Sequence, residues 1–244
     1  MPTRTAGDPR PCAPLGSVGP RVAPRAGWML AAALVTLACR PGGGSGPPQH
    51  YDDPKAMIAV FESNERDSWQ QPDKVVRALP IASREAVLAD IGAGSGYFTR
   101  RLAGRVPNGR VFAVDVDGEF ADYLLAQREV WGTPNIEPHL AMYDDPMLPP
   151  GEIDLVFTAN TYAYIRDRVA YFSKVRSALR SGGRLAVIDF RPDAEVPATM
   201  APDPRYRIAR DTAVHELELA GFRVVDEPKF LALQWFLVLE PTPK

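Results

Sequence analysis

The sequence predicts an α/β fold, in which helices cover both faces of a doubly wound sheet of seven strands. Three observations lead to this prediction. From residue 51 onwards, short apolar runs typical of buried strands alternate with stretches of helical periodicity. A glycine-rich segment follows the first of these runs, as in a tight strand-to-helix turn. The last two apolar runs are too close together for a crossover helix, so they should pair as an antiparallel hairpin.

The first half of the chain body supplies four of the strands. Apolar runs of strand length lie at residues 87–91, 110–115, 135–140 and 153–158. Between them, helical periodicity predicts helices over 97–105 and 120–131. Ahead of the first strand, residues 51–79 have the pattern of two short helices. The second of these is expected over 73–79, because Pro72 suits the first turn of a helix.

The second half contains the longest predicted helix, over residues 163–180. Its apolar residues recur every three or four positions and form one stripe that should face the core: Ile165, Val169, Phe172, Val175 and Leu179. Gly182 and Gly183 are expected to end this helix, and a fifth strand should follow at 184–190. The remaining elements are a helix and the two hairpin strands, expected over 204–220, 222–225 and 234–239.

Residues 1–50 differ sharply in composition from the rest of the chain. Seventeen of them are Gly or Pro, and five Arg against one Asp give a net charge of +4, whereas residues 51–244 carry −6. The apolar run at 28–38 is shorter than the ~20 residues that a helix needs to span a membrane. Arginines upstream of this run, followed by the small Ala38 and then Cys39, resemble a bacterial lipoprotein signal.

This resemblance implies that residues 1–50 are a signal and linker, and that lipid on Cys39 anchors the protein to a membrane. Residues 51–244 would then form the functional domain, with 51–80 as a helical cap. Two alternatives stay open. The segment can be a disordered tail with an incidental apolar patch, or its first residues can precede the true start of a cytoplasmic protein.

Composition excludes several classes of function. Only two cysteines occur, Cys12 and Cys39, so the body has no disulfide scaffold, zinc ribbon or cysteine nucleophile. Its histidines, His139 and His215, lack the spacing of a metal site, and no metal is expected. The net charge of −2 and a pI near 6.0 give no reason to expect a nucleic-acid partner.

The strongest functional signal is the segment Asp90-Ile-Gly92-Ala-Gly94-Ser-Gly96, which links the first strand to the helix after it. Glycines at these positions allow a tight turn and let backbone N–H groups approach a ligand near a helix N-terminus. The third glycine comes one residue earlier than in the dinucleotide fingerprint. Preceded by an acidic residue, this Gly-x-Gly-x-Gly pattern resembles motif I of the class I S-adenosylmethionine-dependent methyltransferases.

Four further features resemble the same family in the same order. Asp115 ends the second strand, where a ribose-binding carboxylate is expected, and Asp144 follows the third strand, where this family places an acid near the adenine. Residues 152–160 resemble motif IV. Residues 179–189 resemble the helix-to-strand junction of these enzymes, although Ser181 replaces the usual Pro. The closing hairpin matches the antiparallel seventh strand that they add to a Rossmann-like sheet.

The resemblance implies S-adenosyl-L-methionine as the cofactor, bound by residues of these motifs: Asp90, Gly92, Gly94, Gly96, Asp115, Asp144 and Asn160. Methyl transfer from a sulfonium mainly needs proximity and orientation, and no residue of the sequence stands out as a general base. Candidates for a catalytic role are Tyr162, Tyr164 and Asp189, after the fourth strand and at the end of the fifth. With Trp69, the two tyrosines are expected to wall an acceptor pocket.

Two segments, 61–70 and 161–164, resemble a bacterial branch of methyltransferases whose members often carry Tyr-His-His where this chain has Tyr-Ala-Tyr. A role for those histidines is therefore absent here. The function that the sequence predicts is methyl transfer to an unidentified, small-molecule acceptor. An NAD-linked oxidoreductase is disfavoured by the glycine spacing. A non-catalytic, membrane-anchored binding module stays an alternative, because export would remove the protein from the cytoplasm, where S-adenosylmethionine is made.

Overall fold

The computed structural model describes residues 51, 53–196 and 201–243, so the signal and anchor expected within residues 1–50 lie outside the described residues. The strands, in chain order, are β1 (Val87–Ile91), β2 (Arg110–Asp115), β3 (Ile136–Leu140), β4 (Ile153–Ala159), β5 (Leu179–Phe190), β6 (Phe222–Asp226) and β7 (Gln234–Pro241). They form one sheet in the order β3-β2-β1-β4-β5-β7-β6. Strands β1 to β5 pair in parallel, whereas β7 pairs antiparallel with β5 and β6. This arrangement confirms the predicted Rossmann-like sheet and its closing hairpin.

Helices cover both faces of the sheet. They are α1 (Pro54–Phe61), α2 (Asn64–Gln70), α3 (Pro72–Ala78), α4 (Thr99–Arg105), α5 (Gly118–Val130), α6 (Arg168–Ala178) and α7 (Arg210–Leu219). Buried side chains of α3, α4 and α5 pack with one face of the sheet, and those of α6 and α7 pack with the other. Successive strand residues point to opposite faces, so a central strand must be apolar on both. In β4, Leu155 and Phe157 join the first core and Val156 joins the second.

The helix predicted over 163–180 starts later than expected. Residues Tyr162–Tyr164 form a 3-10 turn, and α6 begins only after Asp167. The Asp167 side chain accepts a hydrogen bond from the backbone N–H of Ala170 at 3.1 Å, which caps the helix. The turn before this cap leaves residues 160–164 as a short connection at the carboxyl end of β4.

The same helix also ends earlier than the glycine pair suggested. It stops at Ala178, because Leu179 is already extended and pairs with Ile153 of β4. Gly182 and Gly183 therefore lie within β5, past the helix end. Periodicity missed this boundary because Leu179 is buried in either conformation.

Two other segments contain more separate helical elements than their sequence patterns predicted. Residues 51–79 contain three helices instead of two, because Gln71 adopts a left-handed conformation (φ 47°) and separates α2 from α3. The helix expected over 204–220 is divided into a 3-10 turn, Pro204–Tyr206, and α7. None of the described helices is both long and apolar enough to span a membrane.

Candidate functional site

The glycine turn, residues 90–96, connects β1 to α4. Gly92, Gly94 and Gly96 have φ angles of 77°, 51° and 81°, which residues with a Cβ rarely adopt. A Cβ at Gly92 would lie 2.1 Å from Oγ1 of Thr161, and one at Gly96 would lie 2.6 Å from a side chain of α5. These two glycines therefore let neighbouring elements pack against the turn. Gly92 and Gly94 also border a cavity.

Asp115, at the end of β2, is bonded directly to the glycine turn. Its Oδ2 accepts a hydrogen bond from the backbone N–H of Gly94 at 2.8 Å, and its Oδ1 accepts one from Asp117 at 3.1 Å. Burial raises the pKa of Asp115, and these N–H groups oppose that rise. Each oxygen keeps acceptor capacity, and the side chain borders the same cavity as the turn.

Two charges of opposite sign border the cavity beside the turn. Asp90 accepts a hydrogen bond from the Thr99 hydroxyl at 2.6 Å, and burial raises the pKa of its carboxyl to about 7. Arg66 of α2 stacks over the ring of Tyr97, 3.8 Å from its centroid, and burial lowers the pKa of its guanidinium to about 10. Neither Asp90 nor Arg66 forms an ion pair within 4.0 Å with any residue that the structure describes.

The cavity that these groups share has a volume of about 410 Å³. This is within the range of small-molecule pockets, ~300–1,000 Å³. It opens at the carboxyl ends of the central strands, where ligands bind in sheets of this kind. Tyr51 and the first two helices cover it with aromatic rings: Tyr51 meets Phe61 edge-on with centroids 5.7 Å apart, and Trp69 packs on Phe190 at 5.4 Å.

Asn160, directly after β4, borders the cavity with a φ angle of 62°. Its side-chain oxygen accepts hydrogen bonds from Gln70 at 3.3 Å and from Gln234. Both glutamines are buried, and Gln70 also donates to Gln234 at 3.1 Å. The network fixes the orientation of the Asn160 amide. It connects α2 to the carboxyl end of β4 and to the first residue of β7. No described residue accepts a hydrogen bond from its Nδ2.

The two tyrosines of the 3-10 turn point into different surroundings. Tyr162 is fully buried in the core, stacked on Phe172 at 5.2 Å, and its hydroxyl donates to Glu216 at 2.8 Å. Contrary to expectation, it does not border the cavity, because residues two apart in a 3-10 turn face different directions. Tyr164 does border the cavity, and burial raises the pKa of its hydroxyl.

Asp189 and Asp144 lie outside the cavity as well. Asp189 is fully buried and accepts hydrogen bonds from the backbone N–H groups of Ala163 at 3.0 Å and of the residue after itself at 2.7 Å. Burial raises the pKa of Asp189 to about 6. It holds the 3-10 turn against β5. Asp144 is exposed on a polar turn, and the side chains that border the cavity there are Met142 and Tyr143.

Part of the chain matches a known protein family. Residues 88–183, which run from β1 into β5, match the family described as "Methyltransferase domain". These residues, somewhat less than half of the chain, are similar to a methyltransferase domain. The match includes the glycine turn, Asp115 and Asn160, and so covers the strand ends around the cavity.

Curated proteins that are similar to this chain carry different names. Malonyl-[acyl-carrier protein] O-methyltransferase of Hahella chejuensis is 32% identical over 117 residues, which are 46% of this chain and 40% of that protein. The tRNA U34 carboxymethyltransferase of Shewanella woodyi is 25% identical over 154 residues, 62% of this chain and 46% of that protein. The chain thus spans less than half the length of both relatives.

Solved structures share the fold over a larger part of the chain. A SAM-dependent methyltransferase from Aquifex aeolicus superposes with a TM-score of 0.71 at 22% identity, covering 78% of this chain and 98% of that one. Geranyl diphosphate methyltransferase, solved in complex with SAM, superposes with a TM-score of 0.60 at 12% identity, covering 79% and 93%. These superpositions show that the fold is shared, and both neighbours are named for SAM, which is S-adenosylmethionine.

The residues around the cavity fit this cofactor. Asp115 offers free lone pairs to a pair of hydroxyl groups, as a ribose presents them. Gly94 keeps the space above the turn open, since a Cβ there would lie 3.3 Å from the Phe61 ring across the cavity. Aromatic rings and carboxylates around the cavity suit a sulfonium cation. In the part of the chain that the structure describes, no group of three His, Cys, Asp or Glu side chains could hold a metal ion.

Several residues around the cavity were not predicted from the sequence. Arg66 belongs to the segment 61–70, whose resemblance to a family gives this arginine no individual role. The partners of Asn160, Gln70 and Gln234, lie 90 and 74 residues away along the chain. A glutamine at a strand start carries no signal of its own. Only the pairing of β5 with β7 brings Gln234 beside the end of β4.

Proposed function

We propose that this protein is an S-adenosylmethionine-dependent methyltransferase whose small-molecule acceptor binds in the same cavity as the cofactor. The observation that carries the proposal is the glycine turn, with Asp115 bonded to it, opening on a cavity of about 410 Å³. When bound, S-adenosylmethionine supplies a methyl group already activated on a sulfonium. The protein's own contribution is then binding, orientation and exclusion of water.

On the cofactor side, Asp115 accepts hydrogen bonds from the two ribose hydroxyls through its free lone pairs. Met142 and Tyr143, on the loop after β3, border the cavity and would contact the adenine part. These side chains offer apolar surface in place of the carboxylate expected at Asp144. The aromatic cover formed by Tyr51 and Phe61 shields the bound molecule from water.

On the acceptor side, Trp69, Asn160 and Tyr164 form the facing wall. The indole Nε1 of Trp69 is buried, and none of the described residues accepts its hydrogen bond. A buried donor without a partner costs about 1–3 kcal/mol, so it favours a ligand that supplies an oxygen acceptor. The rings favour a planar or apolar body. We therefore propose an acceptor that combines such a body with oxygen substituents.

The acceptor wall formed by Trp69, Asn160 and Tyr164 contains no strong general base. Burial raises the pKa of Tyr164, so its hydroxyl stays protonated near neutral pH and can only donate or accept a hydrogen bond. Asp189 lies outside the cavity, and Asp115 is occupied by the turn and the ribose. Proximity must therefore supply most of the rate. Acceptors that are already nucleophilic, or lose their proton late, suit such a site.

The names of the relatives do not identify the acceptor, because one is named for malonyl-[acyl-carrier protein] and another for a tRNA. Two features favour a small molecule here. The cavity is covered by α1 and α2, and residues 51–244 carry a net charge of −6, which repels a phosphate backbone.

Calorimetric titration of the full chain with S-adenosylmethionine, S-adenosylhomocysteine and NAD tests the proposal. We expect binding of the first two and none of NAD. Binding of NAD alone would favour the oxidoreductase. Binding of neither kind of nucleotide, in a folded protein, would contradict the proposal and favour the binding module. A screen of oxygen-bearing aromatic acceptors, read by S-adenosylhomocysteine release, then tests turnover.

We also propose that the protein is anchored to a membrane through lipid on Cys39. What supports this is the sequence pattern alone: arginines, an apolar run, Ala38 and then Cys39. Mass spectrometry of the native protein is the test. A mature chain that begins at a lipid-bearing Cys39 is expected, whereas an intact upstream segment in a cytoplasmic fraction would contradict the anchor.

A further inference from the structure

Exposed apolar side chains are concentrated at the end of β3 and in the loop that follows it. Among the described residues, eight large apolar side chains are exposed, and half of them lie within residues 140–147: Leu140, Met142, Tyr143 and Met147. The other four are distributed over α5, α7 and β6. Single exposed apolar side chains are normal, whereas a group of them marks a surface that contacts a partner.

Hydrogen bonds fold this apolar loop (residues 140–147) back on itself. The backbone N–H of Met142 donates to the carbonyl of Asp145 at 2.9 Å, and that of Asp145 donates to the carbonyl of Met142 at 3.2 Å. The carbonyl of Met147 lies 3.1 Å from Nε2 of His139. Because His139 precedes Leu140 in β3, the two ends of the apolar loop are held together. Its exposed side chains therefore belong to one compact surface.

The apolar loop is also part of the rim of the cavity. Met142 and Tyr143 border the cavity, although their side chains are 61% and 46% exposed. Leu140 and Met147 do not border it. Tyr51 borders the same cavity. A partner that covers the apolar loop would thus lie beside the cavity and near the first described residue of the domain.

The chain before Tyr51 indicates what this partner is. Eleven residues, 40–50, separate Tyr51 from Cys39, where lipid attachment is proposed, and seven of them are Gly or Pro. A chain of this length spans at most ~40 Å when fully extended, and a Gly-rich one spans ~20 Å on average. The proposed anchor is therefore tethered close to the rim that carries the apolar loop, so a bilayer is the surface within reach.

Charge determines which kind of bilayer suits the apolar loop. Asp145 is paired with Lys174 at 3.0 Å, whereas Asp144 is exposed. Residues 51–244 carry a net charge of −6. Anionic headgroups attract basic segments and repel acidic ones. Insertion of apolar side chains into a bilayer without net charge is therefore the attraction that this surface can supply.

We propose that the apolar loop docks on a lipid bilayer and holds the opening of the cavity at the bilayer surface. This inference rests on the proposed anchor and goes beyond the proposed function. Leu140 and Met147 contribute to docking alone, because they do not border the cavity. An acceptor with the apolar body proposed above is concentrated at such a surface, since apolar molecules partition into lipid.

The test is a titration of the full chain with phosphatidylcholine vesicles, read by flotation as a partition coefficient. Leu140→Gln combined with Met147→Gln removes two apolar side chains without adding charge and should lower the coefficient about tenfold. Met147→Gln alone should lower it about threefold. The matched control combines Val130→Gln with Leu219→Gln, which are also exposed but lie at the ends of α5 and α7. It should stay within about twofold of the wild type.

The N-terminal segment is the same in every variant, so a difference between the two pairs reports on the apolar loop. Equal weakening by both pairs, or no weakening by the loop pair, would overturn the proposal. A lipid-free dimer that only the loop pair converts to a monomer, measured by sedimentation velocity, would assign the apolar loop to a second copy of the chain and overturn it as well.

Thermal unfolding and S-adenosylhomocysteine affinity check that each variant keeps its fold and its cavity. Both should match the wild type, because none of the four substituted residues borders the cavity. A wild type that partitions as expected but binds no S-adenosylhomocysteine would contradict the proposed function alone, since the lipid titration needs no cofactor. A wild type that binds S-adenosylhomocysteine, with a loop pair that partitions like the control pair, would overturn the docking alone.

Discussion

The carboxyl ends of β2 and β5 each carry an aspartate, and the two acids are used differently. Asp115 accepts one backbone N–H on each oxygen and still borders the cavity. Asp189 is enclosed, and both of its oxygens are occupied by main-chain N–H groups of the 3-10 turn and of β5. Strand-end position alone therefore does not mark a binding residue. What distinguishes Asp115 is acceptor capacity that faces an open space.

The same contrast separates Tyr162 from Tyr164, two residues apart. Tyr162 is enclosed and bonded to Glu216, which also holds Arg168 through two hydrogen bonds of 2.6 and 2.7 Å. Tyr164 faces the cavity. Tyr162 supports the turn, whereas Tyr164 borders the space in which the acceptor is proposed to bind. Substitutions at paired positions test this division.

The largest effect is expected from Tyr162→Ala. Truncating a large buried ring should lower the free energy of unfolding by about 3–5 kcal/mol, and it also leaves Glu216 short of a donor. Tyr164→Ala should cost clearly less, because its side chain is partly exposed to the cavity. Urea denaturation measures both. In addition, Tyr164→Ala should reduce methyl transfer while leaving S-adenosylmethionine affinity nearly unchanged. Equal losses of stability would contradict the division.

A smaller but still large effect is expected at the glycine turn. Gly92→Ala should destabilise the protein by about 2–4 kcal/mol, because its φ of 77° disfavours a Cβ and Oγ1 of Thr161 stands 2.1 Å from it. The control is Gly104→Ala in α4, where a Cβ meets nothing within 4 Å. That change should stabilise by ~0.5–1 kcal/mol. A tolerated Gly92→Ala would show that the turn and the end of β4 are not closely packed.

Sequence reasoning anticipated the sheet and much of the cofactor side, for a physical reason. The strands are apolar on both faces, and the glycine turn requires glycines at fixed positions. Each of these features is therefore visible in a few consecutive residues of the sequence. The acceptor side could not be anticipated equally well. Whether Tyr162 or Tyr164 faces the cavity depends on where α6 starts, and the orientation of Asn160 depends on Gln70 and Gln234. Such long-range contacts have no local pattern.

A moderate effect of pH is expected on the binding of S-adenosylhomocysteine, the form of the cofactor that remains after methyl transfer. The pKa of Asp90 is raised to about 7 by burial, against the bond from Thr99 and the charge of Arg66, and with Asp115 raising it further. The ammonium group of S-adenosylhomocysteine would be attracted by an ionised Asp90 carboxylate beside the glycine turn. The affinity for S-adenosylhomocysteine should therefore rise about five- to tenfold from pH 6 to 7.5. Asp90→Asn should flatten this dependence. An affinity that falls over this range would contradict the role of Asp90.

The smallest effect concerns Trp69 and Trp235, which differ in one hydrogen bond. Trp69→Phe removes a buried N–H that has no partner among the described residues, so the ligand-free protein should keep its stability or gain up to about 1 kcal/mol. Trp235→Phe removes a bond to the carbonyl of Ile208 at 3.0 Å and should cost about 1 kcal/mol. A loss at Trp69 equal to that at Trp235 would mean that its N–H is not reserved for a ligand.

The most direct measurement is the affinity of the full chain for S-adenosylhomocysteine with Asp115→Ala and Asp144→Ala side by side. Both acids follow strands on the cofactor side, but only Asp115 borders the cavity. Loss of its charge-assisted hydrogen bonds, worth about 1.5–3 kcal/mol, should weaken binding at least tenfold, whereas Asp144→Ala should bind like the wild type. Unchanged affinity in Asp115→Ala, with the fold intact by circular dichroism, would place the cofactor elsewhere.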